Sequence, residues 1–484
     1  MQMVDKRGLH INGEEIPVCR WYPVVHKWSN RLLAQVGEAS QDDVEAAVRS
    51  AREALSKPTS VHDRYRVLEM AAQLLGEQRE ELASIIAQEA GKPLKDARIE
   101  VDRGQQTLRY SALAARTLHG EEVPIRGNPG SENRLAFTLR KPYGVVLAIT
   151  PFNFPLNLAL HKVGPALASG NSVILKPAPT TPLTALKMAE IFRNSGLRPG
   201  WLNVVTGSAP DLGAWLVKHT GVNLVSFTGS AGVGEIIRRS AGLKPVLLEL
   251  GNNAANIVHR DADLDFSAKV LAQRAFAYAG QVCISVQRIF VDRVVKDEFT
   301  KLLTEHTRRL RVGDPEDPTT DVGPMIDERS AERAMAWVEE ALHGGGRAIL
   351  AGRRAKNVVS PWILDNVDPS VKATTEELFA PVVVMDGYDH ISEAVEKANN
   401  SRYGLQSAVF TSNLDVAFYA GQHLAVGGVI INDSSSYRAD NMPYGGIKDS
   451  GIGREGPEFA VQEMTYPTTV VLNLRTGITT GNSS

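Results

Sequence analysis

The 484 residues carry 53 Lys and Arg against 55 Asp and Glu, a formal net charge of −2, with 43% hydrophobic residues and only two cysteines, Cys19 and Cys283. That length exceeds one ordinary core and predicts two or three domains, the balanced charge leaves no footprint for nucleic acid, and two distant cysteines exclude a disulfide scaffold. The N-terminal "MQMVDKRGLHINGEEIPV" has charges where a signal peptide needs an apolar core, and no segment reaches the apolar length of a membrane span, so a soluble, cytoplasmic protein acting on a small molecule is expected.

Helical spacing of Val44, Ala47, Val48, Ala51, Ala54 and Leu55 predicts a first helix over 40–57, capped by Ser40 and stopped by Pro58. A second helical pattern covers 61–90 and ends at Gly91, and a third covers about 94–118, so the N-terminal quarter reads as mainly helical. The segment 121–144, "EEVPIRGNPGSENRLAFTLRKPYG", has two extended runs around an Asn-Pro-Gly turn signal and reads as a protruding hairpin. The rhythm then changes. Short β-rich runs at 144–150, 172–177, 202–207, 224–229 and 245–251 alternate with helical stretches such as 181–195 and 231–241, the pattern of right-handed βαβ units in a mostly parallel sheet. A second series follows, with strand candidates at 287–292, 381–385, 407–411 and 427–432, so the fold class is α/β with two parallel-sheet domains joined near Gly251. The strand "TTVVLNL" (468–474) has no following helix, and this edge and the hairpin are expected to pair with a partner subunit; the polar "TTGNSS" beyond it reads as a frayed tail.

"GQVCISVQR" (280–288) places Cys283 among Val282, Ile284 and Val286, where a cysteine alone is more often a buried small hydrophobe than a nucleophile. Four other stretches supply what thiolate chemistry on a carbonyl requires. "TPFNFP" (150–155) ends a buried strand, where open α/β sheets place ligands, and Asn153 offers an amide donor to an oxyanion, a bond worth about 3 kcal/mol in the transition state; the bland reading is a turn cap. "LLELGN" (247–252) buries Glu249, whose pKa burial should raise towards that of a general base, against the alternative of a salt-bridged structural acid. "ILKPAP" puts Lys176 at a strand end within reach of ribose hydroxyls or phosphate, and "FTGSAGVG" (227–234) opens a helix that could hold a pyrophosphate. No G-x-G-x-x-G follows the first strand of the series, so any dinucleotide binds in another manner.

"PFNFP", "FTGS", "LELGN", "GQVCISVQR", "EELFAPV" and "MPYGGIKDSGIGRE" resemble, in their order, the motifs of the aldehyde dehydrogenase superfamily over nearly the whole chain, nearest its lactaldehyde and non-phosphorylating glyceraldehyde-3-phosphate branch. The resemblance implies Cys283 as nucleophile, Asn153 in the oxyanion hole and Glu249 as the base that activates water. It implies cofactor contacts at Thr150, Pro151, Phe152, Lys176, Ala178, Pro179, Phe227, Gly229, Ser230, Val233, Leu250, Glu377 and Phe379. Lys176 would meet the adenosine ribose, Gly229 and Ser230 the pyrophosphate, and Glu377 with Phe379 the nicotinamide ribose. It further implies a cofactor domain (1–120 and 145–250), a catalytic domain (251–460), an oligomerisation arm (121–144 and 461–484), and a homodimer or homotetramer. Three departures stand out: Gly251-Asn252 for the usual Gly-Gly, Ala380 for the usual Gly, and Pro179 where many NAD-preferring members have a Glu. The expectation is NAD, with NADP left open. Phe154, Val282 and Ile284 are expected around the substrate, with Arg109 and Arg438 as candidates for an anionic or hydroxylated aldehyde. Arg103 and Arg109 read equally as partners of ion pairs. Val282 stands where members binding phosphorylated aldehydes often have Arg, which favours a neutral or hydroxylated substrate. Relatives that pass the thioester to coenzyme A generally lack the acid matching Glu249, and a non-catalytic relic would not be expected to keep Cys283, Asn153 and Glu249 together.

Overall fold

The computed structural model describes residues 5–474; the tail expected to fray lies outside them. An eight-stranded sheet forms the first half. Its five parallel strands stand in the order Val246–Glu249, Leu224–Thr228, Val145–Ile149, Ser172–Lys176, Leu202–Val204, with antiparallel strands at both edges. All five residues of Val145–Ile149 are buried, because the period-2 alternation sends Val146 and Ala148 into one core and Val145 and Leu147 into the other. Helices cover both faces. The α/β expectation holds.

The second sheet has seven strands in the order Arg347–Leu350, Trp362–Asp365, Val382–Tyr388, Arg288–Asp292, Ala255–Val258, Gln406–Phe410, Gly428–Ile431, parallel except at the first edge. The central strand Ala255–Val258 escapes the sequence reading because it is four residues long and carries Asn256, whose side chain is paired with Ser435 inside the core. Trp362–Asp365 is missed for the same brevity.

Gln41–Leu55 is the first expected helix, with Ser40 and Asp43 closing a capping box. The second does not run unbroken: it divides into Val61–Glu77 and Arg79–Ala90 at Gln78, whose backbone leaves the helical region, and Gly91 then ends the second piece with φ 72°. The N-terminal quarter is mainly helical, as expected, but five short strands that the sequence reading missed lie ahead of the helices, within Lys6–Gly37. Each is too short to show a period.

The 121–144 segment forms the expected hairpin, Glu122–Val123 against Arg134–Pro142. The C-terminal strand is not an orphan, however: Thr465–Asn473 pairs antiparallel with Arg134–Pro142 over nine residue pairs in the same chain. The two expected free edges pair with one another, while the outer edge of Thr465–Asn473 stays unpaired among the described residues. Gly451–Ile452 also returns to the first sheet, beside the strand that ends in Glu249.

Candidate active site

The helix Leu264–Phe276 delivers the chain to a cramped turn in which Tyr278, Ala279 and Gly280 all have positive φ (48°, 53° and 69°). Two of these bear side chains, and such residues cost of order 1–3 kcal/mol each unless the surroundings impose the shape. They do. Tyr278 Oη donates to the Ala90 carbonyl at 2.7 Å, and a Cβ on Gly280 would collide with the Ala380 carbonyl oxygen. Gln281 then anchors the loop, its Oε1 accepting from Ile326 N at 2.8 Å, while Ser435 and Ser436 hydroxyls donate to the Ile284 carbonyl at 3.0 Å. Cys283 is thereby fixed, half-buried, with its Sγ 3.1 Å from Tyr444 Oη. Burial pushes its thiol up to about 12, against the pull of Tyr444 and of the Arg438 charge.

Asn153 reaches this loop from the end of Val145–Ile149, its Nδ2 donating to the Gln281 carbonyl at 2.8 Å. The amide's second N–H is unassigned to any partner, and so is its Oδ1. Glu249 ends the strand Val246–Glu249, separated from Val145–Ile149 by Leu224–Thr228, and is buried, with Oε2 unpartnered and Oε1 beside Gly445, where an added Cβ would lie 3.0 Å away. Burial raises its pKa well above the ordinary carboxyl value, and the Glu455 charge raises it further. Against its own burial, Glu455 is held ionised by Lys162 (2.9 Å) and Arg438 (3.0 Å). Glu249 is thus raised while Glu455 is lowered, the arrangement that separates the pKa values of two acids.

Around these residues the first sheet offers a crevice where its strand order reverses, at Val145–Ile149. Pro151 and Phe152 line one wall half-buried, and the Thr150 and Thr228 hydroxyls are buried without partners. Ser230 caps the helix Ala231–Ser240 without a side-chain bond, leaving the first N–H groups of that helix open beside half-buried Gly229 and exposed Val233. A Cβ on Gly229 would strike the Phe227 ring, and one on Gly234 would approach Leu250 Cδ2 at 2.5 Å. Lys176, in the adjoining strand end with Ala178 and Pro179, has only the Pro177 carbonyl at 3.4 Å. Its pKa is lowered by burial and supported by the charge of Glu38. Glu377 accepts from Asn252 N at 3.1 Å; burial takes its pKa to about 7, and a Cβ on Gly251 would lie 2.7 Å from its Oε2. Phe379, at φ 50°, meets Phe152 edge-on at 5.9 Å.

A model of the aldehyde dehydrogenase family matches residues 18–470. The chain belongs to that family. Among curated relatives, the 3-sulfolactaldehyde dehydrogenase of Priestia aryabhattai is 48% identical, covering 98% of this chain and 99% of its own. The lactaldehyde dehydrogenase of Methanocaldococcus jannaschii is 39% identical over 96% and 99%. Among solved structures, the glyceraldehyde-3-phosphate dehydrogenase of Methanocaldococcus jannaschii complexed with NADP superposes with a TM-score of 0.90 at 39% identity, covering 94% of this chain and 100% of that one.

The protein is therefore an NAD(P)-dependent aldehyde dehydrogenase, and its residues fit that cofactor: the open helix N–H groups after Ser230 suit a pyrophosphate, and the buried Thr150 and Thr228 hydroxyls have no partner among the described residues. Of the residues expected around the substrate, Phe154 is half-buried with Lys92 Nζ 3.5 Å from its ring centroid, and Val282 and Ile284 pack with Cys283, Leu405 and Tyr444. Two arginines do not stand where the sequence suggests. Arg109 is exposed and lines a separate groove of about 650 Å³ with Arg64, Arg66, Arg198 and Trp201, because on Leu94–Thr117 it lies about a quarter-turn away from buried Val101 and Leu108. Arg438 is not at a pocket mouth but buried behind Tyr444, drawn in by its ion pair with Glu455. Arg103 is taken up by two bonds to Asp440, at 2.8 and 3.0 Å. Sequence reasoning missed Lys162, Glu455 and Tyr444. Lys162 had a visible signal, a lone cation in the apolar run "NLALHKVGPALA", every residue of which is buried. No helix among the described residues is long and apolar enough to cross a membrane.

Proposed function

We propose that this aldehyde dehydrogenase oxidises a short 2-hydroxyaldehyde to its carboxylic acid, with Cys283 as nucleophile, Asn153 as oxyanion donor and Glu249 as base. The convergence of Asn153 on the Cys283 loop is the observation that carries this reading. Bound NAD(P)+ supplies the hydride acceptor. The Cys283 thiolate forms the S–C bond to the aldehyde carbon, and the electron pair displaced onto oxygen is held by the free amide N–H of Asn153 and the backbone N–H of Cys283. After the substrate hydrogen has left as hydride, the acyl group remains on sulfur as a thioester. Glu249, once deprotonated, takes a proton from water; the hydroxide adds to the thioester carbon, the S–C bond breaks, and the sulfur leaves as thiolate.

The substrate class rests on the named relatives, for 3-sulfolactaldehyde and lactaldehyde, and on the absence of Arg at position 282. A second reading, an aldehyde with an anionic far end, is supported by the relatives named for 3-sulfolactaldehyde and glyceraldehyde-3-phosphate. In this reading the first sheet binds the cofactor, the second carries the nucleophile, and the hairpin ribbon assembles a homodimer or homotetramer through exposed Leu139, Val471 and Leu472. The enzyme works in the cytoplasm. NAD is preferred over NADP, since Glu38 supplies beside Lys176 the negative charge that Pro179 does not. Initial rates with lactaldehyde, 3-sulfolactaldehyde, glyceraldehyde-3-phosphate and propanal, each with NAD and NADP, test this. The hydroxylated aldehydes should exceed propanal in kcat/KM at least tenfold; propanal turned over equally well would reject the substrate class.

A further inference from the structure

Cys283 has no histidine or lysine among the groups that act on its thiol, and its surroundings are chiefly apolar: Ile284, Leu405, Val282 and the Tyr444 ring. A thiolate in such a place needs a hydrogen-bond donor. One is present. Tyr444 Oη lies 3.1 Å from Sγ, and among the described residues neither atom makes another hydrogen bond.

The tyrosine is gripped from three directions. Its backbone N–H donates to the Glu455 carbonyl at 3.1 Å, and Glu455 N–H returns the bond to the Tyr444 carbonyl. The guanidinium carbon of Arg438 sits 3.7 Å from the ring centroid, and the same arginine holds the Glu455 carboxylate. The ring is 3% exposed, so its hydroxyl cannot swing to solvent for another partner.

We propose that Tyr444 is a further catalytic residue of this dehydrogenase, donating its O–H to the Cys283 sulfur and so stabilising the thiolate both as attacking nucleophile and as leaving group of the thioester. This rests on Cys283 being the nucleophile. The tyrosine keeps its proton throughout; the thiol proton goes to water. A phenol O–H is a far better donor to S⁻ than S–H is to a phenol, so the bond strengthens as the thiol ionises and selectively favours the charged form. Arg438, stacked on the ring face, adds its positive charge behind the donor, and its influence on Cys283 acts in the same direction. Loss of one hydrogen bond to an ionised group leaves roughly tenfold to hundredfold less thiolate at a given pH.

Tyr444→Phe removes only the hydroxyl. The test is the rate of iodoacetamide alkylation against pH for the full-length enzyme and Y444F, with the labelled residue mapped by mass spectrometry and activity followed in parallel. The inflection should move to higher pH in the variant, and alkylation near neutrality should fall at least about tenfold. Superimposable curves, with Cys283 labelled and activity lost in both proteins, would overturn the role of Tyr444 and leave the nucleophile standing; KM alone would then carry any effect of the ring. Label on another residue, or full activity after Cys283 is labelled, would overturn the nucleophile assignment and this proposal with it. Should Y444F fold poorly, 3-fluorotyrosine at position 444 keeps the ring and sharpens the donor, and the inflection must then move to lower pH; an unmoved or raised inflection rejects the proposal.

Discussion

The Asn153 side chain and the Gln281 main chain meet at 2.8 Å, so the donor meant for an oxyanion also fastens the end of the first sheet to the loop that carries Cys283. One amide N–H clasps the loop, and the other is left for the oxyanion of the proposed reaction. Asn153→Ala should therefore slow the first turnover by roughly a hundredfold to a thousandfold, the cost of losing one oxyanion donor, with cofactor affinity little changed. Stopped-flow measurement of the first burst of reduced cofactor checks this; a burst rate near that of the native enzyme would remove Asn153 from the chemistry.

Glu249 should betray itself through both rate and stability. Its pKa is raised by burial and by Glu455, so above about pH 4.5 the folded enzyme keeps a proton that the unfolded chain has lost. The native state then binds more protons than the unfolded state, and this group's contribution, complete at low pH, drains away as pH rises through its folded value. Glu249→Gln carries no such dependence. The difference in melting temperature, variant minus native, should grow as pH rises above about 4.5. In the same variant acylation should persist while thioester breakdown stalls, giving a burst followed by a much reduced steady state.

Gly280 tests the turn before the nucleophile. An added methyl meets the Ala380 carbonyl oxygen at a residue that already has φ 69°. Backbone cannot yield as a side-chain end would, so Gly280→Ala should lose upwards of about 2 kcal/mol in stability and most activity. Thermal melts and kcat measured together settle it; a native-like melt with native kcat would show that the loop has slack.

Cofactor choice should respond to Glu38, although this residue lies far from Lys176 in the sequence. Against the cost of its burial, hydrogen bonds from Ser208 and Ala209 hold its carboxyl below the ordinary value, so it is a permanent negative charge. Glu38→Gln should raise NADP use relative to NAD by at least about fivefold, the effect of removing about 1 kcal/mol of repulsion. The ratio of kcat/KM for the two cofactors is the readout, and an unchanged ratio would leave Pro179 without a substitute.

How far the sequence carried these conclusions depends on how local each signal was. The strands that end in Thr150, Lys176 and Glu249 were legible because each is a continuous apolar run that meets a turn residue. Asn153 and Cys283 could be named because each interrupts such a pattern with chemistry. Ala255–Val258 was hidden by its own buried Asn256, whose partner Ser435 is far away in the chain. Arg438 could be placed near the site but not behind Tyr444, because the ion pair with Glu455 is a tertiary fact. The break at Gln78 left no trace in the apolar spacing, which continues across it.

The ribbon of Arg134–Pro142 with Thr465–Asn473 joins segments more than three hundred positions apart, and Gly451–Ile452 completes the edge of the strand that ends in Glu249. Neither pairing can form until the later segment has been made. Until then the growing protein presents two unclaimed sheet margins, sticky templates for wrong association. The strand that ends in Glu249 thus acquires its finished neighbourhood only when a segment about two hundred positions further on arrives.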